Sequence, residues 1–347
     1  MHHFFCFFLV FCCFCFYSCD SSTSGKENSE KKTVVSPKTK LKVLCQPRPS
    51  FIPLHIALEE KYFEQEGLDV EFIHMEQGQK ALFLLMQGEI DVWAGGSRAG
   101  MFNLFSQKTE IKVVANKGCA RSQDGTIQKA IVLRKDLVEA RKPFALQSLK
   151  GLKGYLDPAS YAEYHIDECL KKAGLTIQDV DMKRMPDAML SEALLNGSID
   201  FASMGEPLIT MILKKGDFAL LFTTEEIIPG FEFGYIAYGK RLLSQEPEIG
   251  KKFMLAYAKA LRQYAQGKTE RNVEIMIKST KHDKETCLKM GWPFIPPRGE
   301  VNLESLKKFQ DWALSKGYTK ERIEEKQMYD PSFLEYANQI LDKAEKK

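Results

Sequence analysis

The sequence repeats a short helix–glycine–strand pattern at a nearly constant spacing. Residues Leu85–Asp91 (LMQGEID) match Leu194–Asp200 (LLNGSID) at an offset of 109, and Gly67–Val70 matches Gly174–Ile177 at an offset of 107. Each unit combines a helix that ends at a glycine, which readily adopts the left-handed conformation, with a turn and a buried strand. Many α/β proteins use this junction, but two nearly equal offsets favour a duplication. The sequence therefore predicts two similar α/β lobes.

The order of strand and helix patterns indicates how each lobe is built. Short apolar runs such as Leu41–Leu44 and Ile111–Ala115 are typical of buried strands, and amphipathic patterns between such runs predict helices, one of them from Pro53 to Gly67. This alternation predicts mostly parallel sheets with helices on both faces. Residues Pro247–Lys347 show helical patterns, interrupted by an extended segment at Trp292–Pro297.

The composition limits the classes of protein to be considered. A length of 347 residues suits two lobes of ordinary size. The hydrophobic fraction of 44% provides enough apolar side chains for packed cores, which excludes a wholly disordered chain. The net charge of +3 is too small to favour a nucleic-acid-binding surface. No apolar stretch reaches about 18 residues, so the sequence predicts no membrane-spanning helix.

The first residues have the pattern of an export signal. Residues Phe4–Tyr17 are only Phe, Cys, Leu, Val and Tyr, a run too short to span a bilayer but suitable as the core of a secretory signal. The following Ser18–Asp20 resembles a bacterial lipoprotein processing site, in which Cys19 receives lipid. We therefore expect a signal peptide at 1–18 and a polar, flexible, lipid-anchored tether at 19–40. A cleaved signal before an ordinary cysteine and an uncleaved anchor are the alternatives.

The cysteines and histidines do not indicate a metal or disulfide framework. Four scattered cysteines remain for the folded part, namely Cys45, Cys119, Cys169 and Cys287. They form no C-x-x-C pair, and the six histidines form no H-x-x-H or H-x-x-x-H pair. The sequence therefore predicts neither a metal site nor a cofactor, and it leaves open whether the four cysteines pair.

A series of short motifs follows along the chain. They are Pro53–Val70 (PLHIALEEKYFEQEGLDV), Gly88–Val92 (GEIDV), Gly95–Ser97, Leu149–Gly151 (LKG) and Glu206–Pro207. Together they resemble the binding proteins that serve ABC importers of aliphatic sulfonates, taurine, nitrate and thiamine pyrimidines. The resemblance extends over about residues 41–312, which is nearly all of the predicted mature chain. It is specific to the family but does not identify a ligand.

The resemblance implies an α/β fold of the type II-like periplasmic binding protein, with two lobes and the ligand between them. We assign residues 41–122 and 233–347 to the first lobe and residues 123–232 to the second. The implied partners are a small-molecule ligand, the permease subunits of an ABC importer and, through lipid on Cys19, a membrane. We expect a monomer in the bacterial cell envelope, facing the periplasm or the outside, with no nucleic-acid partner.

Candidate ligand-binding residues follow the predicted strands, because ligands of such sheets bind beyond the carboxyl ends of the strands. They are Arg48, Gly96, Ser97, Asn116, Asp157, Ser160, Tyr161 and Glu206. Backbone N–H groups at Gly96 and Ser97 suit a ligand oxygen, although Ser97 and Ser160 serve equally well as helix caps. Tyr161 offers a ring for stacking, and Arg48 offers a charge for an anion.

The acidic candidates bear on the class of ligand. Glu206 either accepts a hydrogen bond from a ligand N–H group or is a solvated acid at a helix N-terminus. With Asp157 nearby, two carboxylates in one cleft disfavour a fully anionic ligand, since like charges repel strongly there. The sequence therefore favours a nitrogen heterocycle such as a thiamine-pyrimidine precursor, with sulfonate, taurine or nitrate as alternatives.

Three other functions compete with solute binding. Gly95–Ala99 (GGSRA) is one glycine short of the nucleophile elbow of serine hydrolases, and only His165 and His282 are distant candidates for its base. Pyrimidine synthases that use the implied fold carry a dense Cys/His motif, which the folded part lacks. A ligand-sensing lipoprotein without transport is the third. We expect a solute-binding lipoprotein that is not an enzyme.

Overall fold

The computed structural model describes residues 38–75, 78–106, 109–122 and 124–346. The predicted signal peptide, the lipidation site Cys19 and nearly all of the predicted tether lie outside these residues. Within the described ranges, none of the helices combines the length and the apolar character that a membrane crossing requires.

The described strands form two five-stranded sheets. The first has the order β2-β1-β3-β10-β4 and the second the order β7-β6-β8-β5-β9. The strands are β1 (Thr39–Leu44), β2 (Leu68–Ile73), β3 (Val92–Gly96), β4 (Lys112–Cys119), β5 (Lys129–Arg134), β6 (Lys153–Tyr155), β7 (Asp181–Lys183), β8 (Phe201–Gly205), β9 (Phe218–Leu221) and β10 (Glu232–Tyr238). Below, the first and second lobes are the parts of the chain around these two sheets.

Helices flank both sheets. They are α1 (Ile52–Glu59), α2 (Tyr62–Gln65), α3 (Gly78–Gln87), α4 (Gly100–Ser106), α5 (Lys135–Ala140), α6 (Tyr161–Lys172), α7 (Leu190–Leu195), α8 (Leu208–Leu213), α9 (Thr224–Ile227), α10 (Pro247–Tyr264), α11 (Glu270–Thr280), α12 (Lys284–Lys289), α13 (Leu303–Ser315), α14 (Glu325–Met328) and α15 (Ser332–Glu345). Short 3₁₀ turns lie at Pro49–Phe51, Leu146–Leu149, Ile177–Asp179 and Asp187–Met189, and a π-helical turn lies at Arg241–Gln245.

Each sheet contains one strand that runs against its neighbours, so the sheets are mixed. In the first sheet β10 is antiparallel to β3 and β4, and in the second β5 is antiparallel to β8 and β9. The reason is topological. A chain that leaves one sheet at the carboxyl ends of its parallel strands and crosses directly to the other sheet enters that sheet at the facing edge. Its next strand therefore runs away from the cleft, in the opposite direction to the others.

The sequence repeat corresponds to a repeated structural unit. Gly88 and Gly197 close the helical turns before β3 and β8, with left-handed φ angles of +75° and +73°. In each copy the aspartate before the strand, Asp91 or Asp200, accepts a backbone N–H from the neighbouring β1 or β6, at 2.8 and 2.9 Å. Each aspartate also pairs with an arginine that lies at or after the end of the antiparallel strand. The two sheets therefore have the same local construction.

The helix predicted from Pro53 to Gly67 is interrupted. Lys61 has a left-handed φ of 58° and separates α1 from α2, so the turn at Gly67 ends a second, short helix. The predicted apolar stripe of α10 is confirmed, since Phe253, Tyr257 and Leu261 are fully buried in the first lobe. The Tyr257 hydroxyl also donates to the carbonyl of Asn116 in β4 at 2.9 Å, which links α10 to the first sheet.

Candidate ligand-binding cleft

The carboxyl ends of strands from both sheets border one cleft. Its two connected chambers have volumes of about 70 and 110 Å³. The two chambers share five of their lining residues, which are Gln46, Arg48, Gly96, Tyr161 and Glu206. These residues come from the ends of β1, β3, β6 and β8, which are far apart in sequence. The fold therefore brings the predicted strand ends together at the place where such sheets bind ligands.

Six of the eight predicted site residues line this cleft. They are Arg48, Gly96, Ser97, Asp157, Tyr161 and Glu206. The side chain of Asn116 lies elsewhere, in the first lobe, where it donates to the carboxylate of Glu232 and accepts the backbone N–H of Gly118. Ser160 accepts backbone N–H groups in the first turn of α6 and donates to the carbonyl of Asp157 at 2.7 Å. The hydroxyl of Ser160 is therefore used as a helix cap.

Ser97 and Asp157 make contacts that connect the two lobes. The Ser97 hydroxyl donates to the carbonyl of Glu232 at 2.9 Å, and its own carbonyl accepts the N–H of Tyr161 at 3.2 Å. The Asp157 carboxylate accepts two hydrogen bonds from the Arg98 guanidinium, at 2.8 and 3.2 Å. The negative charge of Asp157 is therefore balanced by a neighbouring arginine.

The Glu206 carboxylate is occupied by protein donors. It accepts the N–H and the hydroxyl of Thr210, at 3.0 and 2.8 Å, and the N–H of Gly291 from the first lobe, at 3.1 Å. Burial raises the pKa of Glu206, although these hydrogen bonds oppose the shift. The carboxylate thus serves as a helix cap and a link between lobes, and its oxygens are engaged by donors of the protein itself.

Two buried lysines, which sequence reasoning did not select, face the same cleft. Lys117 is 2% exposed; its Nζ donates to the Ser50 hydroxyl at 3.1 Å and lies 3.9 Å from the centre of the Phe51 ring. Lys129 is 7% exposed, and its Nζ lies 3.7 and 4.3 Å from the centres of the Tyr161 and Phe233 rings. In the part of the chain that the structure describes, neither lysine forms an ion pair with a carboxylate.

We call Arg48, Lys117 and Lys129 the basic cluster. Burial, followed by the charge of Arg48, lowers the pKa of Lys117 to about 7. The pKa of Lys129 is also lowered well below its usual value, by burial and by the charges of Arg48 and Lys117, although the Glu206 carboxylate opposes this shift. A buried amine without a carboxylate partner is costly to the fold and is often found at functional sites. The cluster can provide charged hydrogen-bond donors to an anion.

Residues 48–268 match the family described as NMT1/THI5 like. The chain belongs to the NMT1/THI5-like family. That match covers more than half of the chain and includes every predicted ligand-binding residue. No curated protein matches the sequence significantly.

Solved structures share the fold of this NMT1/THI5-like protein at low sequence identity. The periplasmic nitrate-binding protein NrtA from Synechocystis PCC 6803 is 14% identical, with a TM-score of 0.71 over 88% of this chain and 89% of that one. A ligand-binding component of an ABC-type import system from Staphylococcus aureus is 15% identical, with a TM-score of 0.70 over 86% and 99%. The aliphatic sulphonate binding protein SsuA from Escherichia coli is 16% identical, with a TM-score of 0.67 over 84% and 97%.

These matches confirm the predicted two-lobed α/β fold. They also include the desulfurization enzyme DSZB, at 12% identity and a TM-score of 0.61, so the same fold also supports catalysis. In the described ranges of this NMT1/THI5-like protein, no group of three or more His, Cys, Asp and Glu side chains is arranged to hold a metal. The four cysteines of those ranges are buried and unpaired.

Proposed function

We propose that this protein is the solute-binding component of an ABC importer, and that it captures a small organic anion in the cleft between its lobes. The basic cluster is the observation that carries the proposal. Two buried lysines and a half-buried arginine converge on chambers that open between sheets of the binding-protein fold. An anion in the cleft forms the direct ion pair that neither amine makes with a carboxylate in the described part of the chain, which offsets the cost of burying them.

The basic cluster changes which of the candidate ligands is favoured. The preference for a neutral nitrogen heterocycle rested on two carboxylates in the cleft. Asp157 is paired with Arg98, and Glu206 accepts three hydrogen bonds from the protein. Both carboxylates are therefore engaged by donors of the protein, which weakens the argument against an anionic ligand. We propose a headgroup such as a sulfonate in preference to an uncharged thiamine-pyrimidine precursor.

Calorimetric titration of the purified protein tests this proposal directly. The probes are ethanesulfonate, taurine, nitrate and 4-amino-5-hydroxymethyl-2-methylpyrimidine. We expect an alkanesulfonate to bind more tightly than the pyrimidine. The free energy of unfolding should rise by about 2.7 kcal/mol when the ligand is present at 100 times its Kd. Tight binding of the pyrimidine with no response to any anion contradicts the proposed headgroup.

Binding without chemical conversion fits the environments of the serine in the cleft and of the buried cysteines. The Ser97 hydroxyl donates to a backbone carbonyl, and no histidine among the described residues is its partner. Burial raises the pKa of Cys119 and of Cys169 to about 12 and shifts that of Cys45 in the same direction, so these thiols are poor nucleophiles. We therefore propose a receptor, and a bound probe should be recovered chemically unchanged after incubation. If the receptor delivers its ligand to permease subunits and does not only sense it, deletion of the gene abolishes uptake of that ligand.

We propose that the receptor is monomeric, faces the outside of the cell membrane and is anchored by lipid on Cys19. The support is the apolar run before Ser18–Asp20 and the polar tether that follows. Cys19→Ala is expected to release the protein from membranes or to leave a larger, uncleaved precursor. Detergent partitioning and gel migration measure both effects. Unchanged partitioning together with unchanged migration contradicts the anchor.

A further inference from the structure

A third buried donor, the side-chain amide of Gln128, lies in the smaller chamber of the cleft. Gln128 directly precedes β5, is 4% exposed and lines this chamber together with the basic cluster. Its Nε2 atom is buried and has no hydrogen-bond partner among the residues that the structure describes. A buried N–H group without a partner is destabilising, and buried amides in proteins are nearly always hydrogen-bonded. The amide of Gln128 therefore lacks a partner that a bound solute can supply.

The backbone around Gln128 holds this side chain in place. The Gln128 carbonyl accepts the backbone N–H of Glu206 at 3.2 Å, and the next residue, Lys129, pairs with Gly205 in the ladder of β5 and β8. Both Gln128 and Lys129 therefore extend into the chamber from an anchored strand end. Donors that are fixed before binding lose less conformational entropy when a ligand arrives.

Glycine residues leave room for the two buried lysines. A Cβ atom at Gly205 would lie 2.7 Å from the Nζ of Lys129, and one at Gly234 would lie 3.0 Å from the Nζ of Lys117. Both distances are shorter than ordinary van der Waals contact, so a side chain at either position would displace an ammonium group. Neither glycine has a left-handed φ angle, so the backbone conformation does not require them. The space that they leave is occupied by the donors of the cluster.

A third glycine has the same relation to Gln128. A Cβ atom at Gly291 would lie 1.9 Å from the Nε2 of Gln128, and the φ angle of Gly291 is not left-handed. Gly205 and Gly234 belong to β8 and β10, whereas Gly291 belongs to the segment after α12. Three separate parts of the chain thus leave room for three buried donors around one chamber. This arrangement suits an occupant that accepts several hydrogen bonds at once.

We propose that Gln128 is a ligand-binding residue, and that Gln128, Lys117 and Lys129 form a three-donor site for a headgroup with three oxygens. This inference rests on the proposed function of the cleft as an anion site and specifies which atoms hold the anion. The two ammonium groups supply positive charge, and the amide supplies a donor without adding to that charge. A sulfonate offers one oxygen to each donor, whereas a carboxylate has only two oxygens. Gln128 thereby favours a sulfonate over a carboxylate with the same organic group.

Calorimetric titration of the full-length protein with ethanesulfonate and propionate at pH 7 tests this role. Both probes are singly charged anions with an ethyl group, and they differ in the number of headgroup oxygens. Gln128→Met keeps the length of the side chain and removes the amide. It is expected to weaken binding of ethanesulfonate at least about tenfold, through the loss of one hydrogen bond to a charged group, and binding of propionate at most about threefold. Gln178→Met is the matched control, because Gln178 is exposed and does not line the chambers, and it should change neither affinity.

A second variant at the same position keeps the shape of the side chain. Gln128→Glu replaces the N–H donor by a carboxylate, which repels a bound anion. This variant is expected to weaken binding of ethanesulfonate more than Gln128→Met does at pH 8. Unchanged affinity for ethanesulfonate in both variants overturns the proposal, as does an equal loss for the two probes in Gln128→Met.

Thermal melts of the ligand-free protein distinguish a ligand donor from a structural amide. Because the Nε2 of Gln128 has no partner within the described chain, Gln128→Met should leave the Tm unchanged or slightly higher. A clear loss of Tm in this variant shows that the amide supports the fold and overturns the proposal, whichever probes bind. Absence of binding by every probe, with the Tm of Gln128→Met unchanged, counts against the proposed function instead.

Discussion

Replacing Lys129 by methionine is expected to weaken binding of a sulfonate about 10- to 100-fold and to leave the protein at least as stable as before. The Lys129 amine is buried between the rings of Tyr161 and Phe233, so it can give an anion a charged hydrogen bond that water does not weaken. The same burial makes the amine costly in the free protein. Methionine has a similar length and removes that cost. A gain of about 1 kcal/mol in the free energy of unfolding corresponds to a rise of about 2–4 °C in Tm.

Calorimetry and a thermal melt on the same preparation measure both effects. Lys320→Met is the control, because Lys320 is an exposed lysine that does not line the cleft, and its replacement should change neither quantity. A loss of binding accompanied by a clear loss of stability points to a structural lysine. Retained affinity in Lys129→Met removes the basic cluster as the anion site.

The duplicated units were predictable because their signals are local. The glycines at 88 and 197 and the aspartates at 91 and 200 lie within a few residues of the strands that they precede, so sequence spacing alone locates both copies. The direction of β5 was not predictable in this way. It depends on the edge at which the chain enters the second sheet, and that is a property of the whole topology.

For a related reason, the sequence predicted some residues of the candidate site correctly and missed others. Position at a strand end placed Arg48 and Glu206 correctly beside the cleft, but it does not determine where a side chain points. Asn116 therefore turned out to face Glu232. Its neighbour Lys117, on the other face of the same strand, lines the cleft instead. A lysine directly before an apolar run, as at Lys129 before Ala130–Leu133, is the sequence signal that deserved selection, because buried lysines are rare without a specific role.

The affinity for a sulfonate is expected to fall as the pH rises above about 7, by up to about tenfold per pH unit for each proton taken up on binding. The sign follows from the Lys117 amine. Its pKa in the free protein is about 7, so it loses its proton near neutral pH. A bound anion favours the ammonium form and raises this pKa. The complex therefore holds more protons than the free protein at pH 8, and binding must take up protons from the buffer.

Calorimetry at pH 8 in two buffers with different ionisation enthalpies measures this uptake. The observed binding enthalpy should differ between the buffers by the number of protons taken up multiplied by the difference in ionisation enthalpy. Lys117→Met should remove a large part of that difference, while Lys129 accounts for any remainder because its pKa is lowered as well. Ethanesulfonate is the appropriate probe, since its own charge does not change in this range. Equal enthalpies in both buffers, together with a constant affinity between pH 6 and pH 9, would show that the ligand binds away from these lysines.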